Sequence, residues 1–166
     1  MLENNLKRQE IQESMYFLAS ISSGLEEIVG RGAKGAAFLA GKKIGKDYSN
    51  KENIVQSENV ITAIDTSKKI LKKNGFFWEF EPWKKKEENE YIYANTNGDQ
   101  CVKILFKDCM IRQTLYNYGH EQGGSLCFIM FGFFSSICGS ILNKQVKLKI
   151  LHTGPNACLK ELIIKD

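Results

Sequence analysis

Arginine is scarce in this chain: only Arg8, Arg31 and Arg112 stand among its 23 basic residues. The lysines that supply the rest are interleaved with glutamates, as in Lys84-Lys85-Lys86-Glu87-Glu88. A net charge of +4 spread in this way reads as a solvated surface, not as a stripe that follows phosphates, and nucleic acid is not an expected partner. No Cys-x-x-Cys pair occurs among Cys101, Cys109, Cys127, Cys138 and Cys158, so the local signal for a metal centre is weak. An odd number of cysteines without regular spacing argues against a disulfide framework. The chain has no Asn-x-Ser/Thr site, and Met1–Gln12 is too polar for a signal peptide. A reducing, cytoplasmic setting is the expectation. Gly30 to Gly35 and Gly41-Lys42 look superficially like a phosphate loop, but no Gly-x-x-x-x-Gly-Lys-Ser/Thr is present and no nucleotide cofactor is evident. Haem-attachment and paired-carboxylate motifs are missing as well.

Charge is also missing from one long stretch, Leu126–Leu142, and this is the most informative absence. The stretch permits a helix buried on most sides, about 25 Å long at about 1.5 Å per residue. That is near the lower limit for a membrane span. Its glycines, serines and two cysteines, and its place between amphipathic segments, favour a core helix instead, with no membrane span. Cys127, Phe131, Phe134, Cys138 and Leu142 share one face. Gly132, Ser136 and Ser140 form another, suited to close contact with a helix, such as the same helix of a second subunit.

Upstream, Glu10–Ser20 reads as a short amphipathic helix or strand entry. Leu25–Tyr48 reads as a helix in which Ala33, Ala37, Gly41 and Gly45 leave one flank almost without side chains, as close helix packing needs. Asp47–Asn53 is the most linker-like stretch. Glu58–Lys73 is a second amphipathic helix ended by Asn74-Gly75. Phe76–Trp83 alternates as a strand. Tyr91–Asn95 and Gln100–Phe106 flank the hairpin signal Thr96-Asn97-Gly98-Asp99. Cys109–Tyr118 follows as a short helix. The order predicts one α+β domain over residues 1–166, with residues 1–20 as an amino-terminal extension or helix. Amino-terminal helices and the long buried helix pack on an antiparallel sheet of four to five strands, the first three forming a meander.

The segment after the buried helix carries the candidate chemistry. Val146–His152 reads as a strand covering about 23 Å at about 3.3 Å per residue, which matches the helix and returns His152 level with Cys127. The turn Thr153-Gly154-Pro155-Asn156 then brings Cys158 up beside it. Cys127, His152 and Cys158 supply three zinc ligands of suitable type, with His120, Glu121 or water as the fourth. Cys138 lies three turns away, about 16 Å along the helix, and cannot join. The alternative is that both cysteines are small buried hydrophobes and His152 is an edge residue. A nucleophilic Cys127–His152 pair has no evident carboxylate to orient the imidazole.

Several motifs together resemble the vinyl-reductase-type hydrocarbon-binding domain. They are Ser23-Gly24-Leu25 with the Gly30–Gly45 helix, Lys107-Asp108-Cys109-Met110-Ile111-Arg112, and the closing block Leu126-Cys127-Phe128, Gly132-Phe133, Gly139-Ser140-Ile141-Leu142-Asn143-Lys144-Gln145-Val146, Gly154 and Cys158. The resemblance covers Ser22 to Ile164. It implies the α+β ligand-binding fold shared with haem-based nitric-oxide sensors and TRAPP transport-complex subunits, and commonly a homodimer. It also implies zinc held by cysteines and a carboxylate in the closing block. Cys127 and Cys158 match the first and last of those cysteines. The middle departs, with Ile150 and Thr153 where the family has a glutamate and a cysteine, and His152 between them.

These readings converge on a binding module for a small hydrophobic or aromatic molecule, with a structural zinc. Trp78, Phe80, Phe106, Phe131 and Phe134 are the expected pocket lining. The alternatives are an enzyme or accessory protein that reduces a tetrapyrrole vinyl group, and an assembly subunit without ligand.

Overall fold

Gly30 takes a left-handed φ of +65°, and the chain turns there between two helices. In the computed structural model, which describes residues 2–76 and 78–165 and side chains from residue 9 onward, α1 spans Leu2–Val29 and α2 spans Gly32–Lys51. The short element expected over Glu10–Ser20 and the unbroken helix expected over Leu25–Tyr48 are therefore replaced by two long helices. Helix-forming residues continue on both sides of the break, so apolar periodicity does not mark it. A conformation that glycine adopts without a Cβ penalty does. The linker-like stretch Asp47–Asn53 is mostly the last turn of α2. The connector that follows is tied down by the Ser57 amide, which donates to the Ile141 carbonyl at 2.8 Å.

Helix α3, Val60–Lys73, begins at Asn59, whose Oδ1 accepts from the Thr62 amide at 2.9 Å. This N-cap satisfies a backbone donor that the first turn leaves without an intrahelical partner. Strands β1 (Glu79–Trp83), β2 (Ile92–Ala94) and β3 (Gln100–Asp108) follow, then α4 (Met110–Asn117), α5 (Ser125–Leu142), β4 (Gln145–Thr153) and β5 (Cys158–Lys165). Phe77, inside the strand expected over Phe76–Trp83, lies outside the described residues.

The sheet is antiparallel, in the order β1-β3-β5-β4, with β2 also on β3. The expected three-stranded meander is not formed. Strand β3 is nine residues long, and β1 occupies Lys103–Asp108 while β2 occupies Gln100–Val102 along the same edge. The hairpin at Asn95–Asp99 forms as its Asn-Gly signal indicates, with the Asn97 and Asp99 amides both donating to Asn95 Oδ1. The architecture is α+β, as expected.

Helix α5 lies between the sheet and α2. It is long and apolar enough to cross a bilayer, but 72% of it is buried inside the fold. Phe134 points to the sheet, stacking edge-on against Phe80 and Phe106 with ring centroids 5.1 and 5.8 Å away. Gly132 and Ser136 point to α2. A Cβ on Gly132 would lie 2.0 Å from the Phe38 carbonyl oxygen, and one on Gly45 would lie 2.7 Å from the Ser136 Cβ. The two small-residue flanks thus pack on each other within one chain. The face expected to meet a second subunit is already filled by α2.

Candidate functional site: an apolar cavity and a buried lysine

Where α1, α2 and α5 diverge they leave a cavity of about 890 Å³ that opens to solvent past half-exposed Leu18, Leu25 and Val29. Helix α1 contributes Met15, Leu18 and Leu25, α2 contributes alanines and Ile44, and α5 contributes Leu126, Ile129 and Met130. Alanines at 33, 36, 37 and 40 leave the space open, because larger side chains there would fill it. One end is closed by a cluster of aromatic rings. Phe133 meets Tyr48, Phe76 and Trp78 with centroids 5.5, 4.8 and 5.9 Å away. No acidic or basic side chain lines this cavity among the described residues; hydroxyls come only from Ser22, Tyr48 and Ser125. Ser125 is 5% exposed and its Oγ has no hydrogen-bond partner. A volume of this size with so few polar groups suits an apolar small molecule.

Of the aromatic residues expected to line the pocket, Trp78 does so. Phe80, Phe106 and Phe134 do not; they are packed on one another between α5 and the sheet. Phe131 faces the sheet side too, close to Lys160. The lining that sequence reasoning missed comes from α1 and from the alanines of α2. Its signal was present as the small-residue flank, though alanines do not announce a cavity until their partner helix is known.

The second site is built on β5, whose residues Cys158, Lys160, Leu162 and Ile164 alternate inward. Lys160 is 2% exposed. Its Nζ lies 3.9 Å from the Phe106 ring centroid, 5.1 Å from that of Phe131, and 3.8 Å from Met130 Sδ. Among the described residues no carboxylate pairs with it, and the aromatic faces are its main electrostatic support. Cys109, Cys127 and Cys158 lie near enough to exchange charge effects with it. Burial lowers the lysine below its ordinary range. The same burial pushes the Cys127 thiol up to about 11 and the Cys138 thiol to about 12, and raises Cys158. Thiols held in this way are protonated at neutral pH and weakly nucleophilic.

The zinc set Cys127, Cys158, His152 and His120 is not assembled. Among the described residues, no group of three or more histidine, cysteine or acidic side chains is placed to hold a metal ion. Cys127 and Cys158 do fall on the same side of the sheet, with Cys158 Sγ 3.9 Å from Gln122 Oε1 in the loop before α5. His152 falls on the other side. A bulge between Ile150 and His152 shifts the register, so His152 pairs with Leu159 while Thr153 pairs with Cys158. Paired residues share a face, and one extra residue turns the imidazole outward, where it is exposed. Beside the two thiols stands the Lys160 amine, whose protonated form opposes a dication. These residues do not fit zinc.

His120 lies apart, in a smaller cavity of about 270 Å³ with Ser22, Ser23, Glu26, Glu27 and Glu121. Its Nε2 is buried without a hydrogen-bond partner. Here the Glu26 carboxylate accepts from the Ser125 amide and caps α5 from a distance of nearly a hundred residues.

The sequence matches no family model and no curated protein, so the vinyl-reductase resemblance rests on its motifs alone. The fold is similar to a solved structure, the phenol-responsive sensory domain of the transcription activator PoxR with phenol. The TM-score is 0.56 at 12% identity, covering 90% of this chain and 73% of that one. What the likeness establishes is a shared fold.

Proposed function

We propose that this protein is a binding module for a small hydrophobic or aromatic molecule, held in the cavity between α1, α2 and α5. The observation that carries the reading is the cavity itself: about 890 Å³, walled by aliphatic and aromatic side chains, with no charged lining among the described residues. Removing an apolar ligand from water there would contribute about 25 cal/mol per Å² of its surface. The fold likeness to a phenol-responsive sensory domain supports the same class of ligand. Zinc has no part in this reading.

The test is titration with Nile red, a neutral dye that brightens in apolar surroundings, on wild-type protein and on Ala37→Trp. Saturable one-to-one binding that Ala37→Trp removes, with its melting transition retained, is the expected result. A wild-type protein that gives no saturable signal sinks the proposal.

A further inference from the structure

Helix α1 repeats apolar residues at alternating steps of three and four, at Ile11, Leu18, Ile21, Leu25 and Ile28, with Ser14 in the remaining place. This is the period of a helix that packs along its length on another helix. Within the chain that seam is not covered: Ala19 is the only buried side chain of α1 among the described residues. Phe17 and Ile28 are 67% and 83% exposed, Leu39 on α2 is 66% exposed, and none of the three lines the cavity. With about 200 Å² for a fully exposed large side chain, the apolar surface at and around the cavity mouth amounts to roughly 1,000 Å². The largest apolar patch on a monomer is ordinarily about 300–600 Å², and a stable interface takes about 800 Å² from each partner. The charges beside this surface differ between the two helices. Over residues 9–29, α1 carries Glu10, Glu13, Glu26 and Glu27 and no lysine or arginine, whereas α2 carries Lys34, Lys42, Lys43, Lys46 and Lys51 against Asp47 alone.

We propose that a second copy of this chain covers this face, α1 of each copy lying across α2 of the other, and that it closes the mouth of the ligand cavity. Pairing α1 on α1 would set glutamates against glutamates. Pairing α1 on α2 sets them against lysines, twice over, about one two-fold axis. The cavity opens past Leu18, Leu25 and Val29, so side chains of one copy complete the site of the other. Ligand binding and pairing then strengthen each other by the same factor. The closure rests on the binding function proposed above; the pairing surface does not.

The test is sedimentation velocity of the full chain over a range of concentrations, expected to show a monomer–dimer equilibrium that Nile red shifts toward the dimer. Ile28→Glu with Leu39→Glu, both exposed and outside the cavity, is expected to leave a folded monomer that binds Nile red at least tenfold more weakly. Two charge-reversed chains, one with Glu13→Lys and Glu27→Lys, the other with Lys42→Glu and Lys43→Glu, are each expected to stay monomeric alone and to pair when mixed. A wild-type chain that stays monomeric, that binds phosphatidylcholine vesicles in place of its own copy, or that pairs regardless of these variants overturns the interface. Undiminished dye affinity in the folded monomer overturns the closure and leaves the cavity standing. A dimer that takes up no dye overturns the binding function and the closure with it, while the pairing surface stands.

Discussion

Gly41 on α2 and Ile129 on α5 approach so closely that a Cβ on the glycine would lie 2.0 Å from the Ile129 carbonyl oxygen. Backbone cannot withdraw as a flexible side chain can. Gly41→Ala therefore has to separate the helices, and the cavity between them changes with that separation. The expected cost is about 1–3 kcal/mol or more by urea unfolding. Gly35→Ala in the same helix meets nothing within 4 Å and is expected to stabilise by about 0.5–1 kcal/mol. Equal effects from the two substitutions would mean that the helices are not in this contact.

Adjacent phenylalanines on α5 separate stability from binding. Phe133 lines the cavity and Phe134 faces the sheet. Each Phe→Leu change is expected to cost about 1–2 kcal/mol in thermal or urea unfolding. Only Phe133→Leu is expected to alter the affinity for an apolar probe. An affinity change from Phe134→Leu of the same size would place the ligand on the wrong side of the helix.

Lys160 is a buried amine with no carboxylate paired to it among the described residues, so Lys160→Met is expected to stabilise the fold, by about 1–3 kcal/mol. Its lowered pKa also fixes a pH dependence. Below the folded-state value the amine is protonated in both states and the burial penalty is complete. As pH rises from there toward the ordinary value of 10.5, the folded protein sheds its proton first and stability increases. Lys160→Met removes that rise. Comparison of unfolding free energies from pH 6 to pH 10 checks it, and a variant with an unchanged slope would remove Lys160 as the source.

The buried thiols give a chemical check. Cys127, near Lys160, and Cys138, against Ser67, have their thiols raised to about 11 and about 12, and all five cysteines are buried. Iodoacetamide at pH 7.5 is expected to label them slowly in the native protein and completely after denaturation. Metal analysis of protein prepared without chelators is expected to find zinc well below one equivalent. Stoichiometric zinc, or a fast-reacting native thiol, would show that the lysine does not govern this corner of the fold.

Much of this was legible in the residues. The uncharged run at Leu126–Leu142, the Asn-Gly hairpin and the Asn74-Gly75 helix end each act through local chemistry, and each lands within a residue or two of its structural element. Both small-residue flanks were visible too, but a flank does not name its partner. Gly41 and Gly132 meet each other's helices in one chain, where a second subunit was equally compatible with the pattern. His152 failed for a sharper reason. The alternation Val146, Leu148, Ile150 places it on the inner face, and only a bulge, which leaves no period in the sequence, reverses that. Lys160 was legible in principle, since it shares the inward alternation of Cys158, Leu162 and Ile164. A lysine at such a position is ordinarily assigned to solvent because burial without a counterion is costly.

The bulge at Leu151 has an effect beyond the imidazole. Strand β4 is the last in the sheet, and its outer row of amides and carbonyls has no neighbouring strand among the described residues. A flat rim of this kind recruits other chains into amyloid-like stacks. Here the kink breaks the rim, and the exposed lysines Lys147 and Lys149 charge it. The irregularity that dismantles a metal centre therefore also guards the protein against polymerising through its own backbone.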